Sequence, residues 1–170
     1  MEVRFRAMDR LGQRRSDGGM NEILETFRAP VLLAATLAAG LQAGTYYAWA
    51  SGVMPGLART DDKTFVETMT NVNVAIVNPV FMLTFLGAPA LAAAAVATTS
   101  GSARAWAIAG LVLAIGTVVV TGAANVPLND ALAAGGSRAD FETVWVRWNV
   151  VRTLTSTGAL ACLAWAAIRS

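Results

Sequence analysis

Apolar residues gather into four runs along the chain, roughly 30–50, 74–98, 105–126 and 150–168. Each is about the 20 residues of helix that cross a ~30 Å hydrocarbon core. Arg152 is the only charged residue in all four. Short polar segments separate the runs. The pattern predicts an all-α integral membrane protein, an antiparallel four-helix transmembrane bundle with up-down-up-down topology. Residues 30–170 form the membrane domain, and 1–29 form an amino-terminal tail, disordered in part and amphipathic near 21–29. A start at Met20 is an alternative reading of the tail.

Prolines punctuate the runs. Pro127 lacks an N–H, so the third helix should stop or bend there. The carbonyls freed near Ala123 and Ala124 would then find Asn125 and Asn129. Pro79 should kink the second helix, with Asn78 filling the gap, and Pro89 adds a second bend. Pro55-Gly56 reads as a turn after the first helix. A cleavage-like Ala48-Trp49-Ala50 follows the first run, but that run is longer than the 7–15 residues of a signal-peptide core. It also carries a small-residue stripe, Thr36, Gly40, Gly44, Ala48 and Gly52, which lets helices approach closely in lipid. That stripe fits another helix of the bundle or a second copy of the chain.

Composition narrows the chemistry. Charged residues make up 14% of the chain and the mean hydropathy is +0.52, against about 25% charged residues in soluble domains. A net charge of +2 and the absence of a phosphate-cradling glycine loop argue against nucleic acid. There is no histidine, and the single Cys162 lies inside an apolar run. No haem ligand set or conventional zinc site can be assembled from such residues. All eleven acids lie outside the runs, so no metal site is expected.

Polar residues inside the runs are the candidate chemistry. On the first helix, Gln42 lies about two turns from the end, followed by Tyr46, Tyr47 and Trp49. The aromatics also suit an interfacial belt. Asn73 and Asn78 open the second run. Thr117, Thr121 and Asn125 recur every four residues on the third, although threonines in membrane helices often bond their own backbone. Trp145, Asn149, Arg152 and Ser156 share a face of the fourth, with Trp148 just off it. A charge one turn inside a membrane helix marks function, or else snorkels to the interface. In an antiparallel bundle the first and third loops share one end. Asn73, Asn78, Asn125, Asn129, Asn149 and Arg152 therefore converge there, while the 98–105 end is plain. Lysines and arginines number eight on the amino-terminal side against five on the motif side, which predicts a cytoplasmic amino terminus. A start at Met20 reverses that count.

Taken in order, Val53-Met54-Pro55-Gly56-Leu57, Asn73 with Asn78-Pro79, Asn125-Val126-Pro127-Leu128-Asn129 and Trp145-x-x-Trp148-Asn149-x-x-Arg152 form a set. The set resembles a family of four-span bacterial and fungal membrane proteins that includes the anthrone oxygenases, over roughly 31–168. The resemblance implies oxidation of an apolar aromatic, anthrone to anthraquinone, by dioxygen as co-substrate without a cofactor, in the bacterial plasma membrane. Under it, Arg152 with Asn125, Asn129 or Asn149 would hold an enolate oxygen, and Asp130, or else Asp61 or Asp62, would be the nearest base. Gln42, Tyr46, Met54, Asn73, Asn78, Trp145 and Trp148 would line the substrate pocket. The partners expected are the lipid bilayer and a small aromatic substrate. The alternatives are a non-enzymatic binder, carrier or structural partner, in which the amides and Arg152 serve as bundle glue, or a different membrane-embedded reaction in secondary metabolism.

Overall fold

A computed structural model describes the backbone of the chain from Glu2 onward and the surroundings of Gly19, Glu22 and residues 24–170, so the side chains of the tail expected over 1–18 lie outside the described residues. The described chain is helical: α1 (Glu2–Ala48), α2 (Met54–Leu57), α3 (Asp62–Ala75), α4 (Pro79–Thr98), α5 (Gly101–Val120), α6 (Val126–Ala133) and α7 (Arg138–Arg169). Two π turns, π1 (Trp49–Val53) and π2 (Thr121–Asn125), weld α1 to α2 and α5 to α6. Four stretches are long and apolar enough to cross a membrane: Leu24–Leu57, Pro79–Thr98, Gly101–Ala133 and Arg138–Arg169. Large apolar side chains face outward along all four, with Leu37, Leu83, Val112 and Leu154 each more than half exposed. A water-facing surface does not carry this much open hydrocarbon. The protein is an integral membrane protein built as a four-helix bundle.

In the ring of helices, α1 and α5 each pack against both α4 and α7. One half of the core is nearly all alanine: Ala35, Ala39, Ala92, Ala95, Ala107 and Ala166, with Leu32 and Leu163. Small side chains let the backbones close up where hydrocarbon gives no hydrophobic drive. Gly110 marks a close approach of α5 to α7, since a Cβ there would lie 2.9 Å from Leu163 Cγ. The stripe on α1 enters this packing only at its start. A Cβ on Gly40 would meet Leu160, whereas Gly44, Ala48 and Gly52 face outward.

At the motif end a second core gathers Met54, Phe65, Met69, Leu132, Phe141 and Trp145. Here the structure corrects the expectations about proline. The helix does not stop at Pro127, and Pro55-Gly56 is helical rather than a turn. In both places the residue before the proline donates its N–H five residues back, Met54 to Trp49 O and Val126 to Thr121 O. The π turn takes up the step at which proline would interrupt the ladder, and each proline then sits in the first turn of the following helix, where no N–H is needed. The first turn of chain comes later, at Ala58–Thr60. The turn after α6 closes with Gly135 at φ +99°, Gly135 N–H on Leu132 O and Gly136 N–H on Ala131 O, the αL ending that favours glycine.

Pro79 breaks the second helix outright, and the membrane-crossing part starts there rather than at 74. α3 ends at Ala75, and Asn78 restarts the chain as the cap of α4, accepting from Phe81 N–H and donating to Ala75 O. We call this the elbow. Below it, α3 packs on α6 and the start of α7 rather than continuing the line of α4. Pro89 lies within an unbroken α4.

Arg138 holds this end together. A cation in the first turn of a helix opposes the helix dipole, and its guanidinium turns away to other partners. It donates to Thr60 O (2.8 Å), Ala58 O (3.1 Å), Asp62 (3.2 Å) and Glu142 (2.7 Å), and lies 4.4 Å from the centre of the Phe65 ring. The opposite end has its own version: Arg28 donates to Thr98 O and Arg104 to Thr99 O.

The α3 cap gives a pH prediction. Asp61 accepts from the backbone N–H of Thr64 (3.0 Å) and from its hydroxyl (2.7 Å). These bonds, the backbone one foremost, hold its carboxyl below the usual value. A depressed folded pKa stabilises above the unfolded value of about 4, and that stabilisation disappears as pH falls through the folded value. Protection of the α3 amides in hydrogen exchange should therefore drop on acidification below about pH 4 in the native protein. In Asp61→Asn, which keeps an accepting oxygen without a charge, that step should be absent.

Candidate functional site

Between the alanine core and the aromatic core lies a cavity of about 260 Å³. This is close to the lower edge of the ~300–1,000 Å³ range of small-molecule pockets. Most of the lining comes from places where a helix ends or turns to π geometry, and the rest from within α4 and α7. α1 and π1 supply Thr45, Tyr46 and Trp49; the end of α3 and the elbow supply Val72, Asn73, Ile76 and Val77; α4 supplies Phe81, Met82 and Phe85. π2 and α6 supply Thr121, Val126 and Asn129, and α7 supplies Trp145 and Arg152. The walls are apolar and aromatic, and Phe81 and Phe85 stack at 5.4 Å with their planes 15° apart.

Arg152 is 6% exposed, buried rather than snorkelling. Its Nη2 donates to Asn149 Oδ1 (2.9 Å), and the guanidinium carbon lies 4.7 Å from the centre of the Tyr46 ring and 5.0 Å from that of Trp145. Asn149 is braced in turn, its Nδ2 donating 3.1 Å to Tyr46 O. Among the described residues no carboxylate pairs with Arg152, and its Nε has no partner. Two more buried polar atoms on the lining residues lack partners: Tyr46 OH and Asn73 Nδ2. Orphaned polar atoms at bilayer depth are costly and belong where a ligand or water completes them. Tyr46 and Arg152 are the only ionisable side chains on the lining, so the site carries a fixed positive charge and several donors.

The predicted residues sort clearly. Arg152, Tyr46, Asn73, Asn129 and Trp145 meet at the cavity. Asn125 is fully buried behind it, with a long 3.5 Å contact from Nδ2 to Trp145 O, and Asn129 Oδ1 accepts from the Trp145 indole (2.9 Å). Both amides thus serve α7, not the carbonyls of Ala123 and Ala124, because the π turn removes the break those carbonyls would have faced. Asn149 acts through Arg152. Gln42 lies deeper, donating 2.8 Å to Thr84 in a small separate void. Met54 is buried in the aromatic core, Asn78 is the exposed cap of α4, and Trp148 is 40% exposed on the outer face. Asp130, like Asp61 and Asp62, is exposed and not on the lining. Tyr47 faces outward as well.

Sequence reading passed over Phe81, Met82 and Phe85. Their signal was present, since two phenylalanines four residues apart just after Asn78-Pro79 lie on one helical face. Thr117 does as predicted for its stripe: its hydroxyl bonds Leu113 O and meets Thr155 across the α5–α7 seam.

Comparison with known proteins bears on the same region. No curated protein and no solved structure matches the chain. The family model described as anthrone oxygenase matches residues 68–162, more than half of the chain, from the middle of α3 to the last third of α7. The stretch includes the elbow, π2 and the Trp145–Arg152 face, and on this match the chain belongs to the anthrone oxygenase family.

Proposed function

We propose that the protein is a membrane-embedded oxygenase that oxidises a flat, apolar, anthrone-like aromatic in the cavity below the elbow, with dioxygen as co-substrate and no resident cofactor. The observation that carries this reading is Arg152: a buried guanidinium without a carboxylate, held by Asn149 between two aromatic rings, its Nε unpartnered beside an apolar cavity. Such a group stabilises negative charge that develops on an oxygen.

An anthrone supplies that charge. Loss of a proton from its methylene carbon puts the electron pair onto the carbonyl oxygen, and Arg152 favours this anion. With no carboxylate on the lining, water entering from the motif end takes the proton. Electron transfer to dioxygen and recombination at the same carbon give a hydroperoxide, and loss of water leaves the quinone. The sum is anthrone plus dioxygen to anthraquinone plus water. Aromatic walls hold the rings, and Tyr46, Asn73 and Asn129 offer polar contacts at the rim.

The reading places the protein in the bacterial plasma membrane with a cytoplasmic amino terminus and the cavity toward the opposite face. The test is oxygen uptake and anthraquinone formation by purified protein with anthrone, above the unaided oxidation in the same detergent. Uptake no faster than the unaided reaction would leave a binder or carrier of aromatic molecules as the reading.

A further inference from the structure

Two helices at the motif end carry phenylalanine and asparagine in the same register from their caps. Asp61 and Ser137 cap α3 and α7. From each cap, the fourth residue is phenylalanine, Phe65 and Phe141, and the twelfth is asparagine, Asn73 and Asn149. The eighth is Met69 or Trp145, and the fifteenth is Ile76 or Arg152. Upstream of each lies a π turn followed by a short helix with proline at its second position, Pro55 and Pro127. The equivalent rings Phe65 and Phe141 meet edge to face at 6.1 Å. From their caps the two helices thus place a phenylalanine and an asparagine at matching positions on either side of the cavity end.

The two helices differ after that asparagine. α7 runs on unbroken, and Asn149 spends its amide N–H on Tyr46 O and its oxygen on Arg152. In α3 the elbow interrupts the helix three residues after Asn73. Its amide finds no backbone carbonyl, and Nδ2 is buried without a partner on the cavity wall.

We infer that Asn73 is a specificity-determining residue, the donor that recognises a second oxygen of the substrate while Arg152 holds the reacting one. This rests on the proposed oxygenase reading and deepens it: the preferred substrate is an aromatic ketone bearing a further hydroxyl or carbonyl oxygen. A site built to hydrogen-bond a substrate oxygen discriminates against the analogue lacking it, because its buried donor is then left unpaired.

The experiment measures kcat/KM for anthrone and for its 1,8-dihydroxy derivative, each corrected for unaided oxidation, in the native protein and in Asn73→Leu and Asn73→Ser. The native protein should favour the dihydroxy compound by at least tenfold beyond the ratio of the unaided rates. Asn73→Leu should collapse that preference by about tenfold or more, and Asn73→Ser, which retains a donor, should keep part of it. Equal losses on both substrates, or an unchanged preference, would overturn the role of Asn73 while oxygenase activity stands. Absence of enzymatic turnover with either compound would instead remove the oxygenase reading on which the role rests.

Discussion

Replacing Arg152 with methionine is expected to lower the rate of anthrone oxidation by about 10²–10³-fold, the loss typical of removing one preorganised oxyanion donor, without lowering the melting temperature. The second half is the discriminating one. Arg152 is buried and lacks a carboxylate partner, so its burial opposes folding rather than supporting it. Methionine has similar reach and packs against the Tyr46 and Trp145 rings without a charge to desolvate. It leaves only Asn149 Oδ1 without a donor. Stability should therefore hold or rise as activity falls. If Arg152 were glue for the bundle, the same change would lower the melting temperature first. Arg152→Lys should rescue little, since an ammonium cannot hold Asn149 and face the cavity with a second N–H in the planar arrangement of a guanidinium.

Asn149→Leu should behave in the opposite way. Asn149 is 1% exposed and ties α7 to α1: its amide satisfies Tyr46 O on α1, and its oxygen steadies Arg152 on its own helix. Leucine leaves that charge with no hydrogen-bond acceptor of its own and strips a side-chain donor from the carbonyl. The expected loss is about 2–4 kcal/mol, from a bond to a charged group plus an unsatisfied neighbour, and activity should fall as well. Because much of this loss arises from the stranded guanidinium, the double variant Asn149→Leu with Arg152→Met should recover roughly 1 kcal/mol or more of it, as expected for residues in one network. Unfolding in mixed micelles, measured for all four proteins of the cycle, checks this. Strict additivity would mean that Asn149 serves α1 alone.

The bundle was legible because hydrocarbon imposes a simple rule: 20 apolar residues make a span. The Trp145, Asn149, Arg152 and Ser156 face was legible for a similar reason, as helical spacing forces the four together, and all four are buried. Local proline chemistry misled. Pro55 and Pro127 read as breaks, yet a π turn ahead of each carries the helix through, and no residue type announces a π turn. At Pro79 the error ran the other way, since an expected kink is a complete elbow. Asn78 was rightly read as filling the gap at that proline, and this removes it from the site. Arg138 was missed, although a cation in a helix's first turn is against electrostatic preference and signals a tertiary task. The repeated Phe and Asn registers after Asp61 and Ser137 were in the sequence throughout. They gain meaning only once the structure shows that Asn149 uses its amide while that of Asn73 has no partner.

The elbow also sets how a substrate is counted. Val77 both lines the cavity and is 70% exposed, flanked by Val74 and Val80, which are exposed to a similar degree. Val77 therefore stands both on the cavity wall and on the outer surface, just ahead of the span that begins at Pro79. On the proposed reading, an aromatic dissolved in the bilayer would enter sideways at this point, from a phase in which partitioning concentrates it. Saturation would then follow the mole fraction of substrate in lipid, and diluting the membrane with inert lipid would act as a competitive inhibitor does, although nothing had bound to the protein.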